Sequence, residues 1–177
     1  MKNLKITGSV WVIADAGGHP IDNIDTDMIF HNSQLHITDV DKMGQHAFDN
    51  LDDWKEFPQQ CREGDILLVG KNFGCGSSRQ QAVDCFRALG AAAIVAESFG
   101  AIYRRNAINS GLAILEAPGI FDSPFKVGTG DEIVVDLERG EISGPGGSFT
   151  ARPMSEIQKN IYHAGNLFAY GKTLSGG

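Results

Sequence analysis

Asp65-Ile66-Leu67-Leu68-Val69-Gly70-Lys71-Asn72-Phe73-Gly74-Cys75-Gly76-Ser77-Ser78-Arg79-Gln80-Gln81-Ala82 places three elements in a row. Asp65–Val69 is a short apolar run behind one acid, the pattern of a buried strand. Beyond it, Ala82, Cys85, Phe86 and Leu89 recur at i, i+3, i+4 and i+7. That spacing gives one buried face of a helix over Ser78–Leu89. The piece between them is a turn from a strand into a helix. Free N–H groups and the positive end of a helix dipole gather at such a point, which suits a carboxylate or phosphate. Gly70, Gly74 and Gly76 permit positive φ and let backbone approach a ligand. Ser77 or Ser78 can cap the helix. Arg79 can offer a forked pair of donors to a carboxylate. The glycine and Lys-Ser/Thr order of a phosphate-binding P-loop is absent.

Working outward, strands and helices alternate. Leu4–Ala14 is a first strand, and Asn23–Phe30 leads to a second strand or an extended loop. His31 to about Glu63 is polar and irregular, with a helix expected near Asp41–Leu51. After the central helix come a strand at Ala91–Ala96, a helix at Gly100–Asn109, a strand at Leu112–Glu116 and another at Glu132–Leu137. Gly144-Pro145-Gly146-Gly147 is a turn, and Ser155–His163 is a helix that Ser155 can cap. This order predicts an α/β core with parallel elements. The whole of residues 1–177 reads as a single domain, with a mobile tail at 174–177.

Composition narrows the partners. The chain has 177 residues, 42% of them hydrophobic, enough for one packed core. Fifteen basic against 22 acidic residues give a net charge of −7, with no run of Lys or Arg, so nucleic acid is not expected as a ligand. No stretch has the length and apolarity of a membrane span. Met1-Lys2-Asn3-Leu4-Lys5 lacks the apolar core of a signal peptide, so the cytoplasm is the expected location. Cys61, Cys75 and Cys85 form no Cys-x-x-Cys pair, and no metal site is expected in this chain. Cys75, between two glycines at a helix start, could carry a depressed pKa and be reactive, against the favoured reading of a structural thiol that is no nucleophile.

Several motifs in order resemble one family. These are Asp22-Asn23-Ile24-Asp25-Thr26-Asp27, Gly64-Asp65-Ile66, Gly70-Lys71-Asn72-Phe73-Gly74-Cys75-Gly76-Ser77-Ser78-Arg79, Ala96-Glu97-Ser98-Phe99 and Tyr103-Arg104-Arg105-Asn106-Ala107-Ile108-Asn109-Ser110-Gly111-Leu112. Together they resemble the small subunits of 3-isopropylmalate dehydratase and homoaconitase, in the aconitase superfamily, over roughly residues 5 to 137. The resemblance implies a swivelling β/β/α domain, a mixed sheet or barrel-like core flanked by helices. It implies a hydro-lyase with a split active site, inactive without its large subunit. That partner would carry a [4Fe–4S] cluster, and the substrate would be a small dicarboxylic hydroxy acid. Ser77 would be the base, and Ser78 and Arg79, with Gly76 beside them, would hold substrate carboxylate. A serine hydroxyl is a poor base in water; its alkoxide needs nearby N–H groups and positive charge, which this turn offers.

The same resemblance makes His31-Asn32-Ser33-Gln34-Leu35-His36-Ile37-Thr38 a specificity loop. Relatives that recognise a distal carboxylate commonly carry Arg where His36 stands, and such a carboxylate wants a bidentate guanidinium. Its absence favours a small branched malate such as 3-isopropylmalate or 2,3-dimethylmalate over homoaconitate, with Ile37 available for an apolar branch. A stand-alone anion-binding module is the alternative from another functional class. Asp22, Asp25 and Asp27 lack the Gly and terminal Glu of a calcium loop, and read as Asx-turn chemistry shaping the loop.

Overall fold

The computed structural model describes residues 1–176. In chain order the regular elements are β1 (Lys5–Val12), α1 (Thr26–Ile29), α2 (Phe57–Gln60), β2 (Ile66–Val69), α3 (Gln81–Ala88), β3 (Ala93–Ala96), α4 (Ala101–Asn109), β4 (Ile114–Glu116), β5 (Glu132–Asp136), β6 (Glu141–Gly144), β7 (Gly147–Thr150), α5 (Glu156–Ala164) and α6 (Leu167–Ser175). Short 3₁₀ turns punctuate the loops. The strands form one mixed sheet in the order β4-β3-β2-β1-β5-β6-β7. From β1 to β4 the pairing is parallel, and from β1 to β7 it is antiparallel. β1 joins the halves: Lys5–Ser9 pair with β5, and Val10–Val12 pair with β2.

Every residue of β2 and β3 is buried, because helices and loops cover both faces of the parallel half. Side chains alternate between two cores, as a strand requires. Leu67, Val69, Ile94 and Ala96 join one cluster with Phe30, Phe48, Phe57, Phe73, Phe86 and Tyr103. Ile66, Leu68, Ala93 and Val95 join the other with Leu115, Phe125, Ile133 and Val135. Ala82, Cys85 and Phe86 are buried on α3, as their periodicity predicts, and Leu89 packs against the same cluster. Ser155 caps α5 in a reciprocal capping box with Gln158.

Three local expectations change, and the turn at 144–147 holds. Asn23–Phe30 is neither strand nor loop throughout: Asp25 accepts from the Met28 amide and starts a short helix over Thr26–Ile29. No α-helix forms at 41–51, where two 3₁₀ turns at Val40–Lys42 and Gly44–His46 lead to Phe48. Phe48 adopts φ +62, donates its amide to the Ile29 carbonyl at 2.7 Å, and sets its ring edge-on to Trp54, Phe57, Phe73 and Phe86. The predicted turn at 144–147 is the bend of a hairpin, β6–β7. α6 was not foreseen; it is capped by Asn166, which accepts from the Ala169 amide, and it runs through Ser175. The expected mobile tail thus overlaps its last turn, and Gly177 lies outside the described residues.

Candidate active site

Three loops leave the carboxyl ends of β1, β2 and β3 and meet, the usual place for a ligand in a parallel sheet. Asp22 accepts from the Lys71 amide at 2.7 Å. The Gly74 amide donates to the Ile24 carbonyl at 2.7 Å, and the Thr26 amide to the Cys75 carbonyl at 2.9 Å. Thr26 Oγ1 donates to the Ser77 carbonyl at 2.8 Å. On the other side, the Phe73 amide donates to the Ser98 carbonyl at 3.0 Å and the Asn72 amide to Ser98 Oγ at 2.8 Å. The aspartates shape the loop, though not through Asx-turns: Asp22 takes an amide 49 residues on, Asp25 caps α1 through the Met28 amide, and Asp27 accepts from Arg79 and the Asn32 amide.

Gly76, Ser77 and Ser78 stand exposed at the crest of this junction, and Arg79 is half-buried behind them. Gly74 and Gly76 take φ +77 and +92. Gly70 is kept small by contact instead: a Cβ there would lie 2.4 Å from Asp22 Oδ1. Neither serine caps α3, whose N-cap residue is Gln80 and which receives no side-chain cap bond. The amides of Gly76, Ser77, Ser78, Arg79 and Gln80 donate to no acceptor among the described residues. Ser77 Oγ has no protein partner there either. The crest therefore keeps a row of unused N–H donors beside a free hydroxyl, at the positive end of an eight-residue helix.

Arg79 is aimed by Asp27. Its Nη1 donates to Asp27 Oδ1 at 2.7 Å and to the Phe30 carbonyl at 3.1 Å. Nε and Nη2 donate to nothing among the described residues, so most of the fork stays available. Asp27 also accepts from the Asn32 amide at 2.9 Å and from Asn50 Nδ2 at 3.1 Å. The Arg79 hydrogen bond, opposed by burial and then aided by the Asn32 amide and by nearby positive charge, holds the Asp27 carboxyl below the usual carboxylate range. A lowered folded pKa contributes stability that is present above the unfolded value near ~3.9 and lost as pH falls through the folded one. The Asp27 side chain is 37% exposed and Arg79 15%, so solvent screens the pair and the contribution is modest. Urea unfolding between pH 5 and 2 should show a shallower acid decline for Asp27→Asn than for the parent chain. Parallel declines would separate Asp27 from acid stability.

The chain matches the Aconitase C-terminal domain family over residues 19–119. It is 42% identical to the 3-isopropylmalate dehydratase small subunit of Caldicellulosiruptor bescii over 153 residues, covering 85% of this chain and 89% of that one. It is 34% identical to the protein of the same name from Thermodesulfovibrio yellowstonii over 171 residues, covering 96% and 95%. Its fold is similar to the crystal structure of 3-isopropylmalate dehydratase (leuD) from Methanocaldococcus jannaschii, with a TM-score of 0.83, 32% identity, and coverage of 97% and 95%. The chain belongs to the aconitase superfamily, among small subunits of the 3-isopropylmalate dehydratase type. Its mixed sheet flanked by helices is the fold that the motifs implied.

The small-subunit frame places the remaining candidates. His31–Thr38 begins directly after Phe30, whose carbonyl Arg79 holds. The His31 amide donates to Asp49 Oδ1 at 3.0 Å, and the Asn32 amide takes Asp27. His31 Nδ1 lies 2.6 Å from Ser33 Oγ, and His36 Nδ1 lies 3.1 Å from the Ser33 carbonyl, so both rings fold back on their own loop. Gln81 Nε2, on α3, donates to the Leu35 carbonyl at 3.4 Å. Ile37 packs against the core, whereas Leu35 is 37% exposed and is the more open apolar side chain. Arg104 pairs with Glu116 at 3.5 Å on the flank.

Cys75 corrects its expectation. Burial, and then the Asp25 carboxylate, push its thiol up rather than down. Cys61 is pushed to about 12 by burial and by Asp65, and burial raises the enclosed Cys85 thiol well above its ordinary value. Among the described residues, no three His, Cys, Asp or Glu side chains gather as a metal-binding group. The three thiols therefore do not offer the donor set of an iron–sulfur cluster. No helix among the described residues is long and apolar enough to cross a membrane. Sequence reasoning missed two contacts at the crest: the Asp27–Arg79 pair and an Asn106–Ser78 bond at 3.1 Å. Both partners lie in the motifs that carried the resemblance, which was the available signal.

Proposed function

We infer that this chain is the small subunit of a heteromeric hydro-lyase that dehydrates and rehydrates a malate-type hydroxy acid, 3-isopropylmalate foremost. The observation that carries this reading is the crest itself. An unbonded Ser77 hydroxyl and a row of free amides stand beside a guanidinium that Asp27 holds by one nitrogen. In the forward direction, the proton on the carbon beside a substrate carboxylate passes to Ser77 Oγ, poised as an alkoxide by the adjoining amides and the helix end. Negative charge grows on that carboxylate as the C–H bond breaks. Arg79 Nε and Nη2, Ser78 and the amide of Gly76 bind it there. A double bond forms as the C–O bond to the neighbouring hydroxyl breaks, and that oxygen would leave as water by taking a proton from an acid on the large-subunit side of the site, while Ser77 keeps the proton taken from carbon. When bound, the [4Fe–4S] cluster of the large subunit supplies Lewis acidity for that departure. Rehydration reverses the sequence, with Ser77 returning its proton.

The His31–Thr38 loop reads the rest of the substrate. Without a guanidinium in it, a small branched malate suits it better than a second distal carboxylate. The reaction belongs to leucine biosynthesis, in the cytoplasm. The test is an anoxic pull-down of the tagged chain from its own cell extract. Iron and sulfide are assayed in what is captured, and turnover is measured on 3-isopropylmalate, 2,3-dimethylmalate and homoaconitate. A stoichiometric larger partner with about four irons and preference for 3-isopropylmalate is expected. A chain that comes down alone and tightly binds a small carboxylate would instead make it a stand-alone anion-binding module. Preference for homoaconitate would overturn the loop argument alone.

A further inference from the structure

Asn106 stands on α4 and reaches the crest. Its Nδ2 donates to Ser78 Oγ at 3.1 Å. The next turn of α4 grips the crest again: Gln80 Nε2 donates to Ser110 Oγ at 2.6 Å, and Ser110 Oγ donates to the Asn106 carbonyl at 2.8 Å. Gln80 Nε2 also reaches Asp84 Oδ1 at 3.2 Å, which fixes that amide in place. The residues on either side of Arg79 are thus both tied to α4, while Arg79 itself is tied to Asp27. Ser77 is left as the one side chain of the crest with no protein partner among the described residues.

The direction of the Asn106 bond carries the chemistry. A serine hydroxyl has one proton to give and two lone pairs to receive. The Asn106 amide fills a lone pair of Ser78 Oγ, so the hydroxyl proton is turned away from α4, toward the exposed side of the crest. An oxygen that accepts one hydrogen bond also donates a stronger one. We propose that Asn106 is a positioning residue that commits Ser78 to donate its proton to the substrate carboxylate. The proposal rests on the assignment of Ser78 to carboxylate binding. A carboxylate in place of the amide would capture the Ser78 proton for itself, and would set like charge beside the substrate.

Asn106→Ala and Asn106→Asp, alone and combined with Ser78→Ala, test this in the complex with the large subunit, with 3-isopropylmalate as substrate at pH 8. Ala is the best helix former and Asp is isosteric with Asn, so α4 persists, and melting temperatures check it. Losing one aligned donor to a developing oxyanion costs roughly 10²-fold or more, and Asn106 acts on such a donor through one intermediary. Asn106→Ala is therefore expected to lower kcat/KM by roughly 10- to 100-fold, and Asn106→Asp by at least tenfold more. Asn106→Ala should cost no more than about twofold once Ser78 is already Ala, because coupled residues are not additive, whereas Asn106→Asp keeps in that background the part of its loss that comes from its charge.

The proposal is overturned by an Ala variant within threefold of the parent, by an Asp variant more active than the Ala variant, or by an Asn106→Ala loss that multiplies with that of Ser78→Ala. The last would mean that Asn106 merely holds the fold of the crest. Ser78→Ala with parental turnover would remove both this proposal and the role of Ser78 beneath it. Ser77→Ala, run alongside, reports on the base assignment by itself, so a failure there is distinguishable from a failure at Asn106.

Discussion

Ser77→Ala is expected to leave the two-subunit complex assembled and to lower kcat by roughly 10³-fold or more, with KM changed only slightly. General-base catalysis by a positioned side chain is worth roughly 10²- to 10⁴-fold, and the upper part of that range applies where no second base is at hand. Among the side chains of the crest, Ser78 is engaged by Asn106 and Arg79 by Asp27. Among the described residues, no other side chain of the crest stands ready to take the proton. The substrate carboxylate would still find Arg79, Ser78 and the free amides, and so binding should survive. Steady-state kinetics of the variant with its large subunit, with pull-down stoichiometry as the assembly check, decides the matter. Turnover within tenfold of the parent would remove Ser77 from the role of base.

Gly74→Ala is expected to damage the fold heavily for so small a change. At φ +77, a Cβ would sit 2.2 Å from Cγ of Tyr103. That ring has nowhere to go. It is 2% exposed, stacks on Phe99 with planes 9° apart, meets Phe73 edge-on, and donates its hydroxyl to the Ala82 carbonyl at 3.0 Å. Left-handed backbone costs a residue with a Cβ about 1–2 kcal/mol, and forcing atoms into a packed core costs about 1–3 kcal/mol more. At roughly 2–4 °C per kcal/mol for a chain of this size, the melting temperature should fall by about 10 °C. Gly18→Ala is the control: φ is +81 there, but nothing lies within 4 Å of the added methyl. It isolates the backbone term, and equal losses at the two sites would refute the packing argument at Tyr103.

The strand–turn–helix at the centre was legible because burial writes itself into spacing. Ile66–Val69 is apolar throughout since both of its faces are covered, and Ala82, Cys85 and Phe86 mark the covered face of α3. The cap at Ser155 was legible because the amide it holds lies within three residues; the return bond from Gln158 was not foreseen. What stayed hidden was set by tertiary contact. The Asp27–Arg79 bond joins residues 52 apart, and the Asn106–Ser78 bond joins residues 28 apart; no local periodicity encodes such pairs. β7, Gly147–Thr150, has no buried residue and two glycine-permissive neighbours, so its pairing with β6 leaves no alternation to read. Cys75 misled because the helix end that lowers a thiol pKa is outweighed there by burial and by Asp25, an aspartate fifty residues earlier in the chain.

The loop from His31 to Thr38 hangs largely from main-chain N–H groups. Asp49 holds the amide of His31, and Asp27 holds that of Asn32. Those tethers are indifferent to which side chain sits at 32 or from 34 onward. The acceptors that hold them belong to the frame around the crest, one of them to the residue that aims Arg79. Under the role proposed for this loop, selection can therefore rewrite what it recognises while its path beside the crest stays fixed. A protein built this way can change its diet without relearning its chemistry.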